Sequence, residues 1–418
     1  MKHIYVLNST SRGSIYGIGT YIEQLVYAIK DSGVKITVVK YLDEGRCMKL
    51  EMEQGIRYIT MPSFINNSNI SVDNSISRYC KSLVIALIPF VNQQEDNIFH
   101  LNHSNDVTLS ECLKKYFSAT IIKTVHFTEW SFQLLGDKRR IKALLKQEIT
   151  DMDPVYRNLI GSFNKERETL NNNCDKIIAI SQHSYNDLVD LYKVNPQKIT
   201  LIHNSLKDIY KPLSEAKKLR IKHTFNISSD MINIVFAGRI EEIKGVYILI
   251  KAFKLVLAKY KNIRLYMAGD GHWPPVMNAA CSSCSNISYT GFLTKKELYG
   301  LYSVVDIGII PSIHEEFGYV AIEMMMHNLP IIVSNSTGLA EIVEHEKTGL
   351  ITNIKNGKRH FNSSARNLAE NIIRLIEDPD LRQILAVKGR QKFKSHYDMK
   401  LFTQEVMKIY NLNIPGIN

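Results

Sequence analysis

Short apolar runs alternate with longer helical patterns along the chain, and this alternation restricts the possible folds more than any other feature. Several runs, such as 35–39 and 176–180, are continuous and rich in β-branched residues, which is typical of parallel strands buried on both faces. The rhythm therefore predicts an α/β fold with a doubly wound sheet. In the first half of the chain, strands are predicted at residues 3–7, 35–40, 56–60, 97–101, 120–125, 176–180 and 198–202.

A polar stretch, residues 205–231, interrupts this rhythm and marks the expected domain junction. A chain of 418 residues is too long for one ordinary core and suits two domains of about 200 residues each. A second series of strand and helix patterns follows the junction. Its strands are predicted at residues 233–237, 263–268, 286–290, 305–310, 330–334 and 349–352.

The chain carries a formal net charge of +11, which attracts polyanions, anionic membranes and phosphorylated small molecules alike. No block of five or six basic residues occurs, and no basic stretch is interleaved with aromatic residues, so nucleic-acid binding is disfavoured. The basic, amphipathic stretch 137–146 either rests on an anionic membrane or presents a solvated helix face. The solvated face is the simpler interpretation.

The first residues lack the apolar core and cleavage site of a signal peptide, and the longest apolar stretch, 83–91, is far too short to span a membrane. We therefore expect a cytoplasmic protein, with peripheral contact at the inner membrane face as an open alternative. Of six cysteines only Cys281 and Cys284 are close together, and no second pair completes a zinc site. We expect reduced thiols.

Glycines lie at the first predicted junction between strand and helix, in Gly17-Ile18-Gly19-Thr20. Glycines there let the backbone approach a phosphate or a sugar, and the helix that follows offers free N–H groups and a positive dipole end. Taken alone, such a turn is as often purely structural.

The second domain opens in a similar way, because strand 234–237 leads into Gly238-Arg239 and then Lys244-Gly245. Open α/β sheets bind ligands at the carboxyl ends of their strands. A planar guanidinium and a point-like ammonium would suit a diphosphate. The alternative is two solvated surface cations.

The most informative stretch, residues 311–323, follows the predicted strand 305–310. Glu315 is predicted on a loop, where it could bond a sugar, and Phe317-Gly318-Tyr319 is predicted to open a helix. Glu323 would lie in that helix, where a carboxylate can accept two vicinal ribose hydroxyls. Its apolar neighbours imply that a buried Glu323 needs a polar partner.

Together these motifs resemble the retaining glycosyltransferases of family 4. Glu315 and Glu323 match the family's E-x7-E motif, and Gly238-Arg239 with Lys244-Gly245 match its G-R…K-G motif. Three further segments fit in the same order: Gly269-Asp270-Gly271, Tyr289-Thr290-Gly291-Phe292-Leu293, and Glu341 with Thr348-Gly349. The resemblance implies the GT-B fold, with two Rossmann-like doubly wound domains facing across a cleft.

The resemblance also implies domain limits. The N-terminal, acceptor-side domain would comprise residues 1–205 plus 396–418, because a final helix near 395–412 would return to it. The C-terminal domain, residues 206–395, would bind the nucleotide sugar.

Roles for single residues follow from the same resemblance. Arg239 and Lys244 would hold the diphosphate, Glu323 the ribose and Glu315 the transferred sugar. His126, at the end of strand 121–125, would bond the donor sugar near its anomeric centre, although a strand-end histidine is more often structural. His100 and His103 are weaker candidates for the same cleft. The remaining donor-binding residues would be Gly17 and Gly19 in a loop over the pyrophosphate, Gly238, Leu293 through its backbone, Phe317, Gly318 and Tyr319.

The chain departs from the family pattern at a few positions. Asn328 replaces a glycine before Pro330, and asparagine tolerates the left-handed conformation next best. Met324-Met325-Met326 replaces small residues. Thr337-Gly338 replaces a glycine pair, which leaves the local pocket and the sugar preference open.

The resemblance implies transfer with retention of anomeric configuration, with Arg239 and Lys244 replacing a metal ion and no cofactor. Asp151-Met152-Asp153 has the spacing of a metal-binding motif, but it precedes Pro154 in a charged stretch, and we interpret it as a surface feature. The donor would be a nucleotide sugar, UDP-linked as the first hypothesis, and the acceptor a saccharide or a lipid-linked molecule. The alternatives are an epimerase or phosphorylase on the same scaffold, a non-catalytic nucleotide-sugar-binding subunit, and a nucleic-acid binder.

Overall fold

The computed structural model describes residues 1–10, 17–63, 72–103, 107–355 and 357–413. The chain divides into two compact units. The first comprises Met1–Ser131, Lys138–Asn204 and Met399–Asn418, and the second comprises Phe132–Asp137 and Ser205–Asp398. The short segment Phe132–Asp137 thus goes with the second unit, although its neighbours in sequence on both sides go with the first.

The first unit is built on an eight-stranded sheet in the order β3-β4-β2-β1-β5-β6-β7-β8. All neighbouring strands are parallel except β3, which is antiparallel to β4. The strands are β1 (Lys2–Ser9), β2 (Lys35–Asp43), β3 (Lys49–Glu53), β4 (Ile56–Pro62), β5 (Asp96–Leu101), β6 (Ala119–Val125), β7 (Lys176–Ala179) and β8 (Ile199–Leu201). The helices before residue 205 are α1 (Gly17–Ile29), α2 (Val72–Leu87), α3 (Val107–Tyr116), α4 (Glu129–Gln133), α5 (Lys138–Leu144), α6 (Pro154–Glu168) and α7 (Gln182–Asp190).

The second unit has a six-stranded, wholly parallel sheet in the order β11-β10-β9-β12-β13-β14. Its strands are β9 (Ile232–Ala237), β10 (Ile263–Ala268), β11 (Ile287–Gly291), β12 (Ile307–Ile310), β13 (Ile331–Ser334) and β14 (Leu350–Thr352). Its helices are α8 (Glu215–Thr224), α9 (Val246–Lys259), α10 (Trp273–Ala280), α11 (Lys295–Tyr302), α12 (Tyr319–Met326), α13 (Thr337–Ile342), α14 (Phe361–Glu377) and α15 (Pro379–Lys392). The central strands are buried on both faces, as their continuous apolar runs predict.

The last helix, α16 (Met399–Ile409), belongs to the first unit and packs on α1. Two lysines fix its end, because the ammonium of Lys2 donates to the carbonyl of Tyr410 at 2.6 Å and that of Lys176 to the carbonyl of Ile409 at 2.6 Å. Cations at this position satisfy carbonyls that have no partner within the helix and complement its dipole.

The α/β fold with two doubly wound sheets is confirmed, and every predicted strand has a counterpart. One strand was not predicted. All five side chains of β3 are exposed, so the sequence there shows no buried face that would distinguish a strand from a loop.

The turn after α12 keeps the predicted geometry, since Asn328 has φ of 57°. The three methionines that replace small residues are fully buried. Gly308 makes room for one of them, because a Cβ at Gly308 would lie 2.4 Å from the sulfur of Met324. No helix in the described parts of the chain combines the length and the apolar composition needed to cross a membrane.

Candidate functional site

The loops that follow β9, β10 and β12 meet at the carboxyl edge of the second unit's sheet, because parallel strands all end at the same edge. The amide of Gly238, just after β9, donates to the carbonyl of Ala268 at 2.9 Å. The amide of Gly269, just after β10, donates to the carbonyl of Gly291 at 2.8 Å. Backbone hydrogen bonds therefore join the turn after β9 to the end of β10, and the turn after β10 to the end of β11. The loop after β12 is joined to the β9 side by the amide of Ile313, which donates to the carbonyl of Ile243 at 2.8 Å.

Two glycines allow the turns to pack backbone against backbone. A Cβ at Gly269 would lie 1.8 Å from the carbonyl oxygen of Gly238, and one at Gly245 would lie 1.9 Å from that of Pro311. Both residues have positive φ, 154° and 72°. No amino acid with a side chain could adopt this conformation and pack so closely. The two glycines therefore allow the turns that carry Arg239 and Lys244 to lie against the edge of the sheet.

An ion pair joins the Lys244 turn to the loop after β12. The Lys244 ammonium lies 2.6 Å from Oε2 of Glu315, and the Ser312 hydroxyl donates to the same oxygen at 3.2 Å. Burial alone would raise the pKa of Glu315, but the charge of Lys244 and these hydrogen bonds outweigh burial and hold the pKa below its ordinary value. Glu315 is therefore an anion that orients the ammonium of Lys244.

Arg239, in the turn directly after β9, is oriented by two contacts. Its Nη1 lies 2.9 Å from Oε2 of Glu241, and its guanidinium lies over the ring of Phe132, 5.3 Å from the centroid. Phe132 comes from the short segment that joins the second unit from the middle of the first half of the chain. A guanidinium stacked on a ring keeps its planar fork of donors oriented.

The Glu315 loop is fastened to the start of α13. The carbonyl of Glu315 accepts the amide of Gly338 at 2.9 Å and the hydroxyl of Thr337 at 2.8 Å. A Cβ at Gly338 would lie 2.5 Å from the carbonyl oxygen of Glu316, so the glycine of the Thr337-Gly338 pair is required and the threonine supplies an extra hydrogen bond.

Gly318 caps α12 in the left-handed region, with φ of 115°, and Tyr319 begins the helix. The first amides of such a helix point away from its body and form an anion-binding end. Phe317 is buried, and its ring lies 5.7 Å from that of Tyr319 and 6.0 Å from that of Tyr397. The Phe317 side chain therefore packs inside the second unit, and only the backbone of Phe317 can contact a ligand.

Glu323 lies in α12 and is buried, as its apolar neighbours indicate. Its polar partner is Tyr299, whose hydroxyl donates to Oε1 at 3.2 Å. Burial raises the pKa of Glu323 to about 7, against the opposing effects of Lys295 and Tyr299. Leu293 lies in the loop between β11 and α11 and is half-buried.

In the first unit, Gly17 and Gly19 lie in the first turn of α1, not in a loop as predicted. The helix begins at Gly17, inside the segment predicted as a loop, because glycine is tolerated in a first turn, where the amides have no partner within the helix. Residues 11–16, the rest of the predicted loop, lie outside the described residues.

His126 follows β6 in the first unit and is fixed by Asn102. The Asn102 amide nitrogen donates to the carbonyls of Leu7 at 3.3 Å and His100 at 3.2 Å, so its oxygen faces His126 Nε2 at 3.1 Å. Because that oxygen only accepts, Nε2 carries the proton. Burial, together with His100 and nearby cations, lowers the pKa of His126 to about 3, so the ring is neutral and Nδ1 is an acceptor.

His100 is a structural residue rather than a ligand-facing one. It is fully buried, its Nε2 lies 2.7 Å from Oγ1 of Thr124, and its Nδ1 is bonded to the hydroxyl of Tyr410. Thr124 also bonds the hydroxyl of Tyr21 at 2.9 Å, and the Tyr21 ring lies edge-on to His126, 4.6 Å between centroids. This buried network stabilises the position of His126.

We predict that nitrogen-15 NMR will find His126 as the neutral Nε2–H tautomer from about pH 6 to 8. Asn102→Leu removes the acceptor and should populate the Nδ1–H tautomer. Asn102→Asp supplies a carboxylate and should raise the imidazole pKa by about 1–3 units. The His100 signal, whose Nε2 faces Thr124, serves as the internal control. A dominant Nδ1–H tautomer in the unaltered protein would contradict the assignment.

The remaining candidate features have structural roles. Asp153 caps α6 by accepting the amide of Val155 at 2.9 Å. In the basic helix α5, Lys138 is paired with Asp187, and Arg140 is bonded to the hydroxyl of Tyr156. The six cysteines are free thiols. Among the residues that the structure describes, no three histidine, cysteine or acidic side chains form a group able to hold a metal ion.

The sequence patterns did not identify five residues that position the site: Ser312, Thr337, Tyr299, Asn102 and Phe132. Ser312 lies inside the most informative stretch and was not given a role there. Tyr299 could have been sought as the polar partner that a buried Glu323 needs. The others carry no local signal, because their partners are distant in sequence.

Two family models match the chain. The model described as Glycosyltransferase Family 4 matches residues 15–207, and the model described as Glycosyl transferases group 1 matches residues 232–378. Together the two models cover most of the chain.

Relatives agree with these matches. An uncharacterized glycosyltransferase from Methanocaldococcus jannaschii is 25% identical over 244 residues, which cover 57% of this chain and 60% of the relative. A capsular polysaccharide biosynthesis glycosyltransferase from Staphylococcus aureus is 25% identical over 247 residues, covering 56% and 61%. D-inositol 3-phosphate glycosyltransferase from Thermobispora bispora is 19% identical over 394 residues, covering 90% and 86%. The matches to the first two relatives thus span about 60% of their lengths.

Solved structures show the fold. Sucrose-phosphate synthase from Thermosynechococcus elongatus superposes with a TM-score of 0.76 at 18% identity, covering 98% of both chains. HepE from Anabaena gives a TM-score of 0.73 at 14% identity, covering 98% of this chain and 99% of that one. The two parallel-sheet units therefore define a protein of the GT-B class. Residues 15–207 are a Glycosyltransferase Family 4 domain, and residues 232–378 are a Glycosyl transferases group 1 domain.

Proposed function

We propose that this protein transfers a sugar from a nucleoside diphosphate sugar to a hydroxyl group of an acceptor. The observation that supports this most directly is the Lys244–Glu315 ion pair, 2.6 Å long, at the carboxyl edge of the second unit's sheet. It joins two loops far apart in sequence and places an oriented ammonium on the same edge as the Arg239 fork. Two cations beside a helix N-terminus form a suitable site for a diphosphate.

Each residue of this edge would have one task. Arg239 and Lys244 would neutralise the charge that develops on the leaving diphosphate, which a preorganised site does without rearrangement. The first amides of α12 would bind phosphate or sugar oxygens. Glu323 would accept the ribose hydroxyls, and Glu315 would orient Lys244 and contact the sugar. His126 would accept a hydrogen bond from a hydroxyl of the donor sugar at Nδ1.

The reaction would proceed with retention and without a metal ion. The acceptor oxygen would bond to the anomeric carbon on the face from which the diphosphate departs, as the bond from that carbon to the diphosphate breaks. The acceptor's proton would pass to the departing phosphate oxygen. The two cations would perform the charge stabilisation that a divalent ion provides elsewhere.

The donor would be a UDP sugar in the first instance, since HepE from Anabaena, which shares the fold, has been solved with UDP and with UDP-glucose. The acceptor would be a saccharide or a lipid-linked molecule. The six free thiols are consistent with the cytoplasmic location that we propose. A membrane contact through α5 would use the exposed Lys142, whereas Lys138 and Arg140 are engaged with protein partners.

The decisive experiment is the melting temperature with UDP, GDP or ADP in the presence of EDTA. A ligand at about 100 times its Kd stabilises the folded state by roughly 2.7 kcal/mol. One nucleotide should raise the melting temperature of the unaltered protein but not of Glu323→Ala. Glu370→Ala, an exposed glutamate on α14, is the control and should keep the shift. If no nucleotide stabilises the protein, the donor site is wrong.

Analysis of the reaction products distinguishes a transferase from an epimerase and from a non-catalytic subunit. A transferase releases free nucleoside diphosphate in proportion to a glycosylated acceptor, whereas an epimerase converts the nucleotide sugar to an isomer. A non-catalytic subunit binds the nucleotide and does neither.

We predict that donor affinity depends on pH through Glu323. Its pKa of about 7 lies above the ordinary glutamate value, so the carboxyl takes up a proton as the pH falls through about 7. Only the ionised form accepts two ribose hydroxyls, and the Kd of UDP-glucose should therefore rise about tenfold between pH 8 and pH 6. Calorimetry measures this directly, since UDP-glucose itself does not titrate there. Glu323→Gln should bind more weakly with a flat profile, and an equally steep profile in that variant would exclude Glu323 as the cause.

A further inference from the structure

A second binding surface lies wholly within the first unit, on the face of its sheet beside α1. A groove of about 620 Å³ runs between α1 and the strands β2 and β4. We call it the α1 groove. Its floor is apolar and includes Val38 and Ile56, and its walls carry Tyr27 and Lys30 from α1 and Lys40 and Tyr58 from the strands. It follows α1 from Gly19 to the end of the helix, a length of about 15 Å.

One end of the groove carries a buried amide. Asn8, at the end of β1, lines the groove and is 6% exposed. It pairs in register with Lys40 of β2, so its side chain lies on the sheet face that also presents Val38 and Lys40 to the groove. Asn8 Oδ1 makes no hydrogen bond to any residue that the structure describes. Buried polar atoms are normally satisfied, so an amide oxygen on the groove face points to a ligand that donates a hydrogen bond, as a sugar hydroxyl does.

This end is linked to His126, which follows β6 two strands away, through Asn102. The carbonyl of Leu7, the residue before Asn8, accepts hydrogen bonds from the amide and the side chain of Asn102, and Asn102 holds His126. A molecule lying in the groove would thus present its end to the edge where His126 is fixed.

The walls of the groove combine aromatic rings with charged groups of both signs. The Lys30 ammonium lies 5.0 Å from the centroid of Tyr27, and the Lys40 ammonium lies 5.6 Å from that of Tyr58. The carboxylates of Glu23, Asp43 and Glu53 line the same groove. Because the charges nearly balance, the groove does not select a polyanion or an anionic membrane surface. Ring faces beside many donors and acceptors suit a polyhydroxylated ligand with apolar faces.

We propose that the α1 groove binds an oligosaccharide, as the subsites for the acceptor's sugar units behind the one that receives the new sugar. The length of the groove exceeds a single sugar ring, so the acceptor class would be a glycan chain. The identification of the bound saccharide as the acceptor rests on the proposed function. Saccharide binding in the groove can be tested by itself.

Calorimetric titration of the full chain with maltotriose, cellotriose and chitotriose, each against its monosaccharide, tests the proposal. At least one trisaccharide should bind with a Kd about tenfold or more below that of its monosaccharide. Tyr27→Ala should raise the trisaccharide Kd about tenfold by removing a stacking face. Lys40→Ala should act in the same direction.

Tyr116→Ala is the matched control. Tyr116 is 40% exposed and has the Lys115 ammonium 5.9 Å from its ring, as Tyr27 is 38% exposed beside Lys30, but Tyr116 lies outside the groove. This variant should bind the trisaccharide normally. The proposal is overturned if no trisaccharide binds better than its monosaccharide, or if Tyr27→Ala and Tyr116→Ala bind alike. Binding of anionic vesicles that is lost in Lys40→Ala, without trisaccharide binding, overturns it as well.

The nucleotide measurement keeps the two proposals apart. Tyr27→Ala should retain the UDP-dependent rise in melting temperature in full. If that rise is present and the trisaccharides fail, only the groove proposal fails. If trisaccharides bind and no nucleotide does, the groove stands as a saccharide site and the donor assignment fails.

Discussion

Lys244→Met lowers kcat for sugar transfer by about 100- to 1000-fold, with a smaller effect on KM, if the Lys244 ammonium stabilises the departing diphosphate. The loss falls on kcat because the charge on the leaving group is larger in the transition state than in the bound donor. Steady-state rates of nucleoside diphosphate release, measured over a range of donor concentrations, give both parameters.

Two further variants separate chemistry from folding. Lys244→Met leaves the Glu315 carboxylate half-buried without its cation, which is itself destabilising. Adding Glu315→Gln removes that charge and should restore the melting temperature but not the rate. Lys251→Met, which removes an exposed lysine of α9, should behave like the unaltered protein. A Lys244→Met enzyme within a few-fold of normal kcat would refute the assigned role.

Gly269→Ala destabilises the second unit by about 3 kcal/mol or more, because its Cβ would lie 1.8 Å from a backbone oxygen that cannot move without breaking the neighbouring turn. Its φ of 154° adds strain for any side chain. Differential scanning calorimetry should show the transition of that unit several degrees lower.

Substitutions at two other glycines separate the contribution of backbone conformation from that of close contact to this loss of stability. Gly291 has φ of 69°, but a Cβ there would meet nothing within 4 Å, so Gly291→Ala should cost about 1 kcal/mol from conformation alone. Gly161 lies inside α6 with open space around it, and Gly161→Ala should stabilise by about 0.5–1 kcal/mol. Equal effects at Gly269 and Gly291 would mean that the close contact is relieved elsewhere.

Much of the fold could be predicted because buried parallel strands leave continuous apolar runs, as in β1, β9 and β12. The strand β3 could not, because all its side chains face solvent and apolar periodicity reports burial rather than hydrogen bonding. The start of α1 was placed too late for a related reason, since glycine gives no helical signal even where the backbone is helical.

The sequence allowed the residues of the candidate site to be predicted, but not the contacts between them. The motif spacing identified Lys244, Glu315 and Glu323, yet the pairing of Lys244 with Glu315 depends on how the turns after β9 and β12 pack. The contact between Phe132 and Arg239 could not be predicted from the sequence patterns. Residues 132–137 belong to the second unit, whereas the residues on both sides of them in sequence belong to the first. Such long-range contacts depend on topology, which local patterns do not encode.

The return of α16 to the first unit has a consequence for biosynthesis. A ribosome releases residues 1–204 before the second unit, but Tyr410, which bonds the buried His100, and Phe402, which packs on Tyr21 at 5.8 Å, are made only after it. The 205–398 part of the second unit, by contrast, is one continuous stretch of chain. The unit whose translation begins first is therefore completed only after the other unit has been translated. Until then it exposes the apolar surface that α16 covers, so a nascent chain stalled before residue 399 is a natural client for a chaperone.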